Sequence, residues 1–91
     1  LTAARTYPDN IPAVVNAARM EMEGGNIPSA IRLLESSRVS DTPEVLNALG
    51  VAYAKSGQYD KALELLERAK ASGSAEAETN LQQVAGMMDD L

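Results

Sequence analysis

The chain of 91 residues contains no cysteine, no histidine, no tryptophan and no phenylalanine. Without cysteine it has no disulfide framework, no thiolate metal site and no thiol nucleophile. Without histidine it also lacks the side chain that most often acts as a general base. These absences predict a protein that is not an enzyme and that holds no metal or cofactor.

Basic residues are scarce, with 8 Lys and Arg against 13 Asp and Glu and a net charge of −5. Nucleic-acid binding needs clustered basic side chains to neutralise phosphates, so nucleic acid is not an expected partner. No apolar run approaches the roughly 18 residues of a membrane span, so direct membrane insertion is not expected. The lack of cysteine is compatible with the cytoplasm and with an oxidising cell envelope.

Several short motifs that suggest chemistry are better explained as structure. The pair Gly24-Gly25 is not a phosphate loop, because no strand precedes it and no lysine follows it. The acidic pair Asp89-Asp90 falls at a helix C-terminus, where the dipole disfavours anions, and is predicted to be a solvated tail. Methionine adapts to many partners, but helical spacing favours core or cap packing for all four of these residues: Met20, Met22, Met87 and Met88.

What the sequence does contain is a repeat with a period of 32 residues. The segment G-N-I-P-S-A-I-R-L-L-E, from Gly25, recurs as G-Q-Y-D-K-A-L-E-L-L-E, from Gly57. Apolar residues return every three or four positions in both copies, which predicts α-helix. A hydrophobic content of 45% with only 3% aromatics also favours thin, closely packed helices over a β-sandwich. The predicted fold is therefore all-α, an α-solenoid of antiparallel helix hairpins.

A second helical pattern precedes each copy, over residues 12–23 and 43–55. Thr42 can cap the second of these helices, and Pro43 suits a first helical position. The two repeat glycines are predicted to adopt the left-handed conformation that ends a helix. On the outer face, Glu64 and Arg68 have the spacing of an ion pair along one helix. The predicted buried stripes are Val14, Val15, Ala18 and Met22; Ile27, Ala30, Ile31 and Leu34; Val45, Leu49, Ala52 and Tyr53; and Tyr59, Ala62, Leu63, Leu66 and Ala69.

Residues 47–69, N-A-L-G-V-A-Y-A-K-S-G-Q-Y-D-K-A-L-E-L-L-E-R-A, resemble a tetratricopeptide repeat. Tyr53 and Tyr59 stand at consensus packing positions, whereas Leu46 replaces the usual Trp and Ser74 the usual closing Pro. The matching positions are Leu49, Gly50, Tyr53, Gly57, Tyr59, Ala62, Leu66 and Ala69. Residues 11–42 form a weaker copy, with Ala17-Ala18 for Leu-Gly. Glu21 stands there where Tyr is usual, and Met20 or Met22 is expected to fill its space.

The resemblance implies one domain over residues 1–91, made of four parts. Residues 1–10 would be the end of a truncated repeat, residues 11–42 and 43–74 two repeats, and residues 75–91 a capping helix. Ser74 is expected to cap that last helix, with Leu81, Val84 and Met88 on its buried side. The truncated start predicts a weak N-terminal end, through which any weak self-association would run.

The resemblance also implies a function, because first helices of successive tetratricopeptide repeats line a concave binding groove. By this resemblance, the partner-binding residues of this chain would be Val15, Arg19, Met22, Glu23, Glu44, Asn47, Val51, Lys55, Thr79 and Gln83. This family binds the acidic tails of chaperones through Lys and Asn side chains at particular positions of the groove. That site is not expected here, because the corresponding residues of this chain are Val15, Arg19, Ala48, Glu76 and Asn80.

Two functions remain open at this stage. One is a protein–protein interaction scaffold that binds a peptide or protein partner in the groove. The other is an architectural spacer or docking segment, packed against its own parent protein or a second copy. The whole chain also resembles the C-terminal repeat region of fimbria-associated cell-envelope proteins of anaerobic Gram-negative bacteria. That resemblance implies a bacterial protein of the envelope or periplasm, with the cytoplasm as the alternative.

Overall fold

The computed structural model describes residues 10–37 and 40–89. Over these two ranges it contains five α-helices and no strand, which confirms the all-α prediction. The helices are α1 (Ile11–Glu23), α2 (Ile27–Ser36), α3 (Pro43–Lys55), α4 (Tyr59–Ala71) and α5 (Ala75–Asp89). The predictions for residues 1–9, including the truncated repeat and self-association through it, and for Asp90 lie outside the described residues.

Each helix packs against the next one along the chain, and α3 also contacts both α1 and α5. The first helices of the hairpins, α1 and α3, therefore form one layer with α5, while α2 and α4 lie on the other side. This is the layer arrangement of a tetratricopeptide-like helical repeat. Contact is most extensive between α3 and α4, which places the centre of the core in the second hairpin.

Three glycines end helices in the same way. Gly25, Gly57 and Gly73 have φ angles of 86°, 87° and 114°, in the region that residues with a Cβ rarely adopt. After α3, the N–H of Gln58 donates to the Tyr53 carbonyl at 2.9 Å, and equivalent bonds close the turns after α1 and α4. The predictions for Gly25 and Gly57 are confirmed. The same turn at Gly73 was not predicted.

The helix starts combine prolines with side-chain caps. Proline occupies one of the first two positions of α1, α2 and α3, where a missing N–H removes no helical hydrogen bond. Asn10 Oδ1 accepts a hydrogen bond from the N–H of Ala13 at 3.0 Å at the start of α1. Ser74 Oγ accepts one at 3.2 Å at the start of α5, which confirms its predicted role. Thr42 is the N-cap residue of α3, but its side chain makes no capping hydrogen bond.

The core follows the predicted stripes. The largest fully buried side chains are Leu34, Leu66, Val14 and Val45. The methionine prediction is wrong for Met20, whose side chain is 72% exposed, and Met87 is 45% exposed. Met22 instead packs against the core. The buried apolar residues are Val14, Ala18, Ala30, Leu34, Val45, Leu46, Ala48, Leu49, Ala52, Tyr53, Ala54, Ala62, Leu65, Leu66, Ala69, Ala77 and Val84.

Gly50 lies at a close approach of α3 and α4. A Cβ atom built on it would lie 2.5 Å from Leu66 Cγ, well inside van der Waals contact. A side chain on residue 50 would therefore require the Leu66 side chain or the two helices to shift. The residue at the same step of the first hairpin is Ala18, which is fully buried with its methyl group in place.

Candidate functional site

The layer formed by α1, α3 and α5 carries two adjoining depressions, of about 390 Å³ and 500 Å³. Val15, Asn47, Ala48 and Glu76 line both of them, so the two form one continuous groove. The first depression is also lined by Arg19, Met22, Glu23, Val51 and Lys55, and the second by Ile11, Pro12, Asn16 and Glu44.

The structure brings most of the predicted site residues together in this groove. Seven line the first depression, namely Val15, Arg19, Met22, Glu23, Asn47, Val51 and Lys55, and Glu44 lines the second. Thr79 and Gln83 are exposed on α5 and line neither depression. The α5 residue that does line the groove is Glu76. Gln83 lies on nearly the same face of α5 but about 10 Å further along the helix axis.

Helical spacing explains why these side chains share one face. Asn47, Val51 and Lys55 are spaced four residues apart on α3, and positions four apart lie one above the other on a helix. The residues between them, such as Leu49 and Ala52, are buried against the other helices. One side of α3 therefore supplies the core, while another side supplies the half-buried floor of the groove.

An amide pair interrupts the apolar floor. Asn80 Nδ2 donates a hydrogen bond to Asn47 Oδ1 at 2.8 Å, and both side chains are half-buried. This bond ties α5 to α3 and leaves amide hydrogens of Asn47 and the carbonyl oxygen of Asn80 for other partners. The sequence reasoning placed Asn80 at a groove step but did not predict this pair. Two asparagines 33 residues apart, one more than the repeat period, are its only sequence signal.

The charges of the groove differ between its two ends. Arg19 and Lys55 lie toward the end of the groove where α1 and α3 finish, and Glu23 lies beside them. Glu44 and Glu76 belong to the first turns of α3 and α5 and line the second depression, which has no cation. Glu76 also lines the first depression, together with Arg19 and Lys55. The groove is therefore acidic at one end and mixed, with both of its cations, at the other.

None of these five charged side chains forms an ion pair within residues 10–37 and 40–89. Arg19 donates a hydrogen bond to the side-chain amide oxygen of Asn16. The two ion pairs of the described chain lie outside the groove, between Arg68 and Asp41 at 3.7 Å and between Lys70 and Glu78 at 3.9 Å. Arg68 thus pairs with the loop before α3 and not with Glu64, its predicted partner.

Tyr53 lies outside the groove and has a structural role. Its side chain is 6% exposed, and its hydroxyl donates a hydrogen bond to the Glu35 carboxylate of α2. That bond, together with burial and the negative charge of Glu35, raises the pKa of Tyr53 from 10.0 to about 12. Lys61 Nζ lies 5.1 Å from the ring centroid. Tyr53 therefore links the two hairpins, in agreement with its predicted packing role.

Other kinds of site have little support in the described ranges. These ranges hold no cluster of three or more acidic side chains suited to a metal ion. None of the helices described above has the length and apolarity needed to cross a membrane. The groove is the feature that gathers the most predicted site residues.

Comparison with known families gives an independent result. The family model of the tetratricopeptide repeat matches residues 43–71, which comprise α3, the Gly57 turn and α4. No curated protein matches the chain significantly. Repeats of this kind typically serve as non-enzymatic modules for protein–protein interaction. The second hairpin is therefore similar to a tetratricopeptide repeat, and the all-helical stack of the described residues is consistent with a helical repeat of that kind.

Proposed function

We propose that this chain is a non-enzymatic scaffold that binds a peptide or protein partner in the groove of α1, α3 and α5. The observation that carries the proposal is the convergence of eight predicted site residues in one groove. The half-buried side chains of Val15 and Val51 provide apolar surface that a partner would cover, and the charged side chains around them provide specificity. A micromolar affinity is expected, because interfaces of this small size are seldom tighter.

Photo-crosslinking tests where a partner binds. A photoreactive amino acid placed at Val51, on the groove floor, should crosslink a partner from whole-cell lysate or envelope extract. The same group at Glu64, which is exposed on α4, is the matched control and should crosslink much less. A partner captured at Glu64 and not at Val51 would move the site to the opposite surface.

Alanine variants then test which charges contribute. With the captured partner in calorimetry, the double variant Arg19→Ala and Lys55→Ala should weaken binding by about tenfold. The control Glu64→Ala and Arg68→Ala removes charges outside the groove and should leave the affinity within about twofold. The reverse pattern would contradict the proposal. A crosslink to the parent polypeptide or to a second copy would assign the groove the architectural role.

The proposal extends to the organisation and setting of the chain. We propose repeats over residues 11–42 and 43–74 with a cap over residues 75–91, supported by the equivalent turns at Gly25 and Gly57. A bacterial cell-envelope setting is proposed from sequence resemblance alone. Fractionation of cells that produce the full protein tests that setting, and recovery only in the cytoplasmic fraction would contradict it.

A further inference from the structure

The unpaired charges of the groove carry information about the partner. Arg19 and Lys55 have no carboxylate within 4 Å in the described chain, and the same is true of Arg32 and Lys61 outside the groove. The position of Arg19 and Lys55 in the groove, and not the lack of an ion pair alone, therefore points to a ligand. The carboxylates of Glu44 and Glu76 likewise have no basic partner in the described chain. Opposite charges that a protein leaves unpaired at two ends of one groove favour a ligand with complementary charges at the same separation.

We infer, on the basis of the proposed function, that the partner is a polypeptide segment with opposite charges at its two ends. A Lys or Arg of this segment lies against Glu44 and Glu76, where the depression has no cation. A single Asp or Glu lies against Arg19 and Lys55 at the other end, where Glu23 and Glu76 also line the depression and would repel further acidic residues. Small apolar residues between them cover Val15, Ala48 and Val51, and polar backbone or side-chain groups contact the amides of Asn47 and Asn80.

The geometry of α3 sets the spacing of these charges. Glu44 and Lys55 are eleven positions apart on one helix, which corresponds to about 16 Å along its axis. An extended segment covers that distance in about five residues. A helical segment that lies along the groove needs about eleven residues. The basic and acidic residues of the bound segment are therefore about five positions apart if the segment is extended and about eleven if it is helical.

Helix dipoles offer a second explanation for three of these charges. Glu44 and Glu76 lie in first turns, and Lys55 lies in the last turn of α3, so each complements the dipole of its own helix. Arg19 is outside the last turn of α1 and has no such role. A test must therefore separate ligand recognition from helix stability, and charge reversal does so because it changes the preferred ligand.

The test is selection from a displayed library of random peptides of about 16 residues, long enough for the helical spacing. The folded 91-residue chain should enrich peptides with a basic and an acidic residue about five or about eleven positions apart. Reversal of both cations, Arg19→Glu with Lys55→Glu, should shift the enriched peptides to basic residues at both ends. Circular dichroism confirms that each variant remains helical.

A matched variant controls for net charge. Arg68→Glu with Lys70→Glu makes the same change in net charge outside the groove and should leave the enriched pattern unchanged. For the best wild-type peptide, fluorescence anisotropy should show an affinity loss of about tenfold or more in the groove variant and less than about twofold in the control.

The outcomes distinguish this inference from the proposed function on which it rests. The selection could enrich peptides that lack the charge pattern but lose their binding in the Val51→Asp variant. That result would overturn the inference and leave groove binding intact. If no enriched peptide loses its binding in the Val51→Asp variant, the groove does not bind peptides. That result would overturn both the inference and the proposal that the groove binds a peptide. Concentration-dependent dimerisation that Arg19→Glu with Lys55→Glu abolishes would assign the groove to a second copy and overturn the charge pattern as stated.

Discussion

The two hairpins have the same period and the same turn, but they are not packed alike. In the second hairpin, Gly50 allows α4 to approach α3 until Leu66 Cγ lies 2.5 Å from the position that a Cβ on residue 50 would take. In the first hairpin the equivalent residue is Ala18, which is buried with its methyl group. Tyr53 links the second hairpin to Glu35 of the first, whereas Glu21 stands at the step equivalent to Tyr53.

This difference separates two kinds of information in the repeat. Apolar residues at helical spacing specify which face of each helix is buried, and both hairpins have them. The small and aromatic consensus residues set the distance between helices and the contacts between neighbouring hairpins. The residues that match the tetratricopeptide repeat model, 43–71, include both Gly50 and Tyr53. The second hairpin is therefore expected to be the more stable half of the described chain.

The largest predicted effect is at the close approach of α3 and α4. Gly50→Ala should lower the free energy of unfolding by about 2 kcal/mol, because the new methyl group overlaps the Leu66 side chain. Urea denaturation followed by circular dichroism measures the change. A variant as stable as the parent would show that α3 and α4 move apart at little cost. The second hairpin would then accept an alanine at this step as the first hairpin does.

Two controls isolate steric overlap from helix propensity. Gly86→Ala in α5 places a methyl group where no atom lies within 4 Å, and it should stabilise the chain by about 0.5–1 kcal/mol. In a Leu66→Ala background, Gly50→Ala should cost much less than in the parent, because the overlapping side chain is gone. Additive effects of the two substitutions would contradict the overlap.

The link between the hairpins gives a smaller effect that depends on pH. Tyr53→Phe should cost about 1 kcal/mol at pH 8, because it removes the hydrogen bond to Glu35. The raised pKa means that Tyr53 binds its proton more tightly in the folded state, so its contribution is complete below pH 10. It is lost as the pH rises from 10 to about 12, the pKa of Tyr53 in the folded protein.

Paired denaturation curves from pH 8 to pH 12 check this assignment. The difference in the free energy of unfolding between the parent chain and Tyr53→Phe should shrink across the upper part of that range. Any titration of Lys61 occurs in both proteins and cancels in this difference. Tyr59→Phe is the control, since Tyr59 is a half-buried tyrosine of α4 and the hydrogen bond to Glu35 belongs to Tyr53. A constant difference up to pH 12 would show that the bond to Glu35 contributes nothing.

Local pattern was enough to predict the helices and the turns at Gly25 and Gly57. The eight positions that share the groove came from the family resemblance, and their role in binding stays a prediction. Local pattern was not enough for features that depend on neighbouring helices. Met20 is exposed although Ala52, one period later, is fully buried, because burial depends on what is stacked beside the helix. Periodicity within α5 likewise did not specify that Glu76, and not Thr79, would face the groove.

The smallest predicted effect concerns the surface ion pair between Arg68 and Asp41. Both side chains are largely exposed, so Arg68→Ala should change the free energy of unfolding by less than about 0.5 kcal/mol. The change should decrease further in 0.5 M salt, a concentration at which the Debye length falls to roughly 4–5 Å. A loss above about 1 kcal/mol would mean that this pair joins the hairpins as strongly as Tyr53 does.

The central claim is that the face of α1, α3 and α5 binds the partner, and NMR titration tests it most directly. With backbone amides assigned, a bound partner or selected peptide should shift the resonances of Val15, Arg19, Asn47, Val51 and Lys55. Amides on the opposite helices, such as Arg32, Glu64 and Arg68, should change little. Shifts concentrated on α2 and α4, with the groove residues unmoved at saturation, would contradict the account.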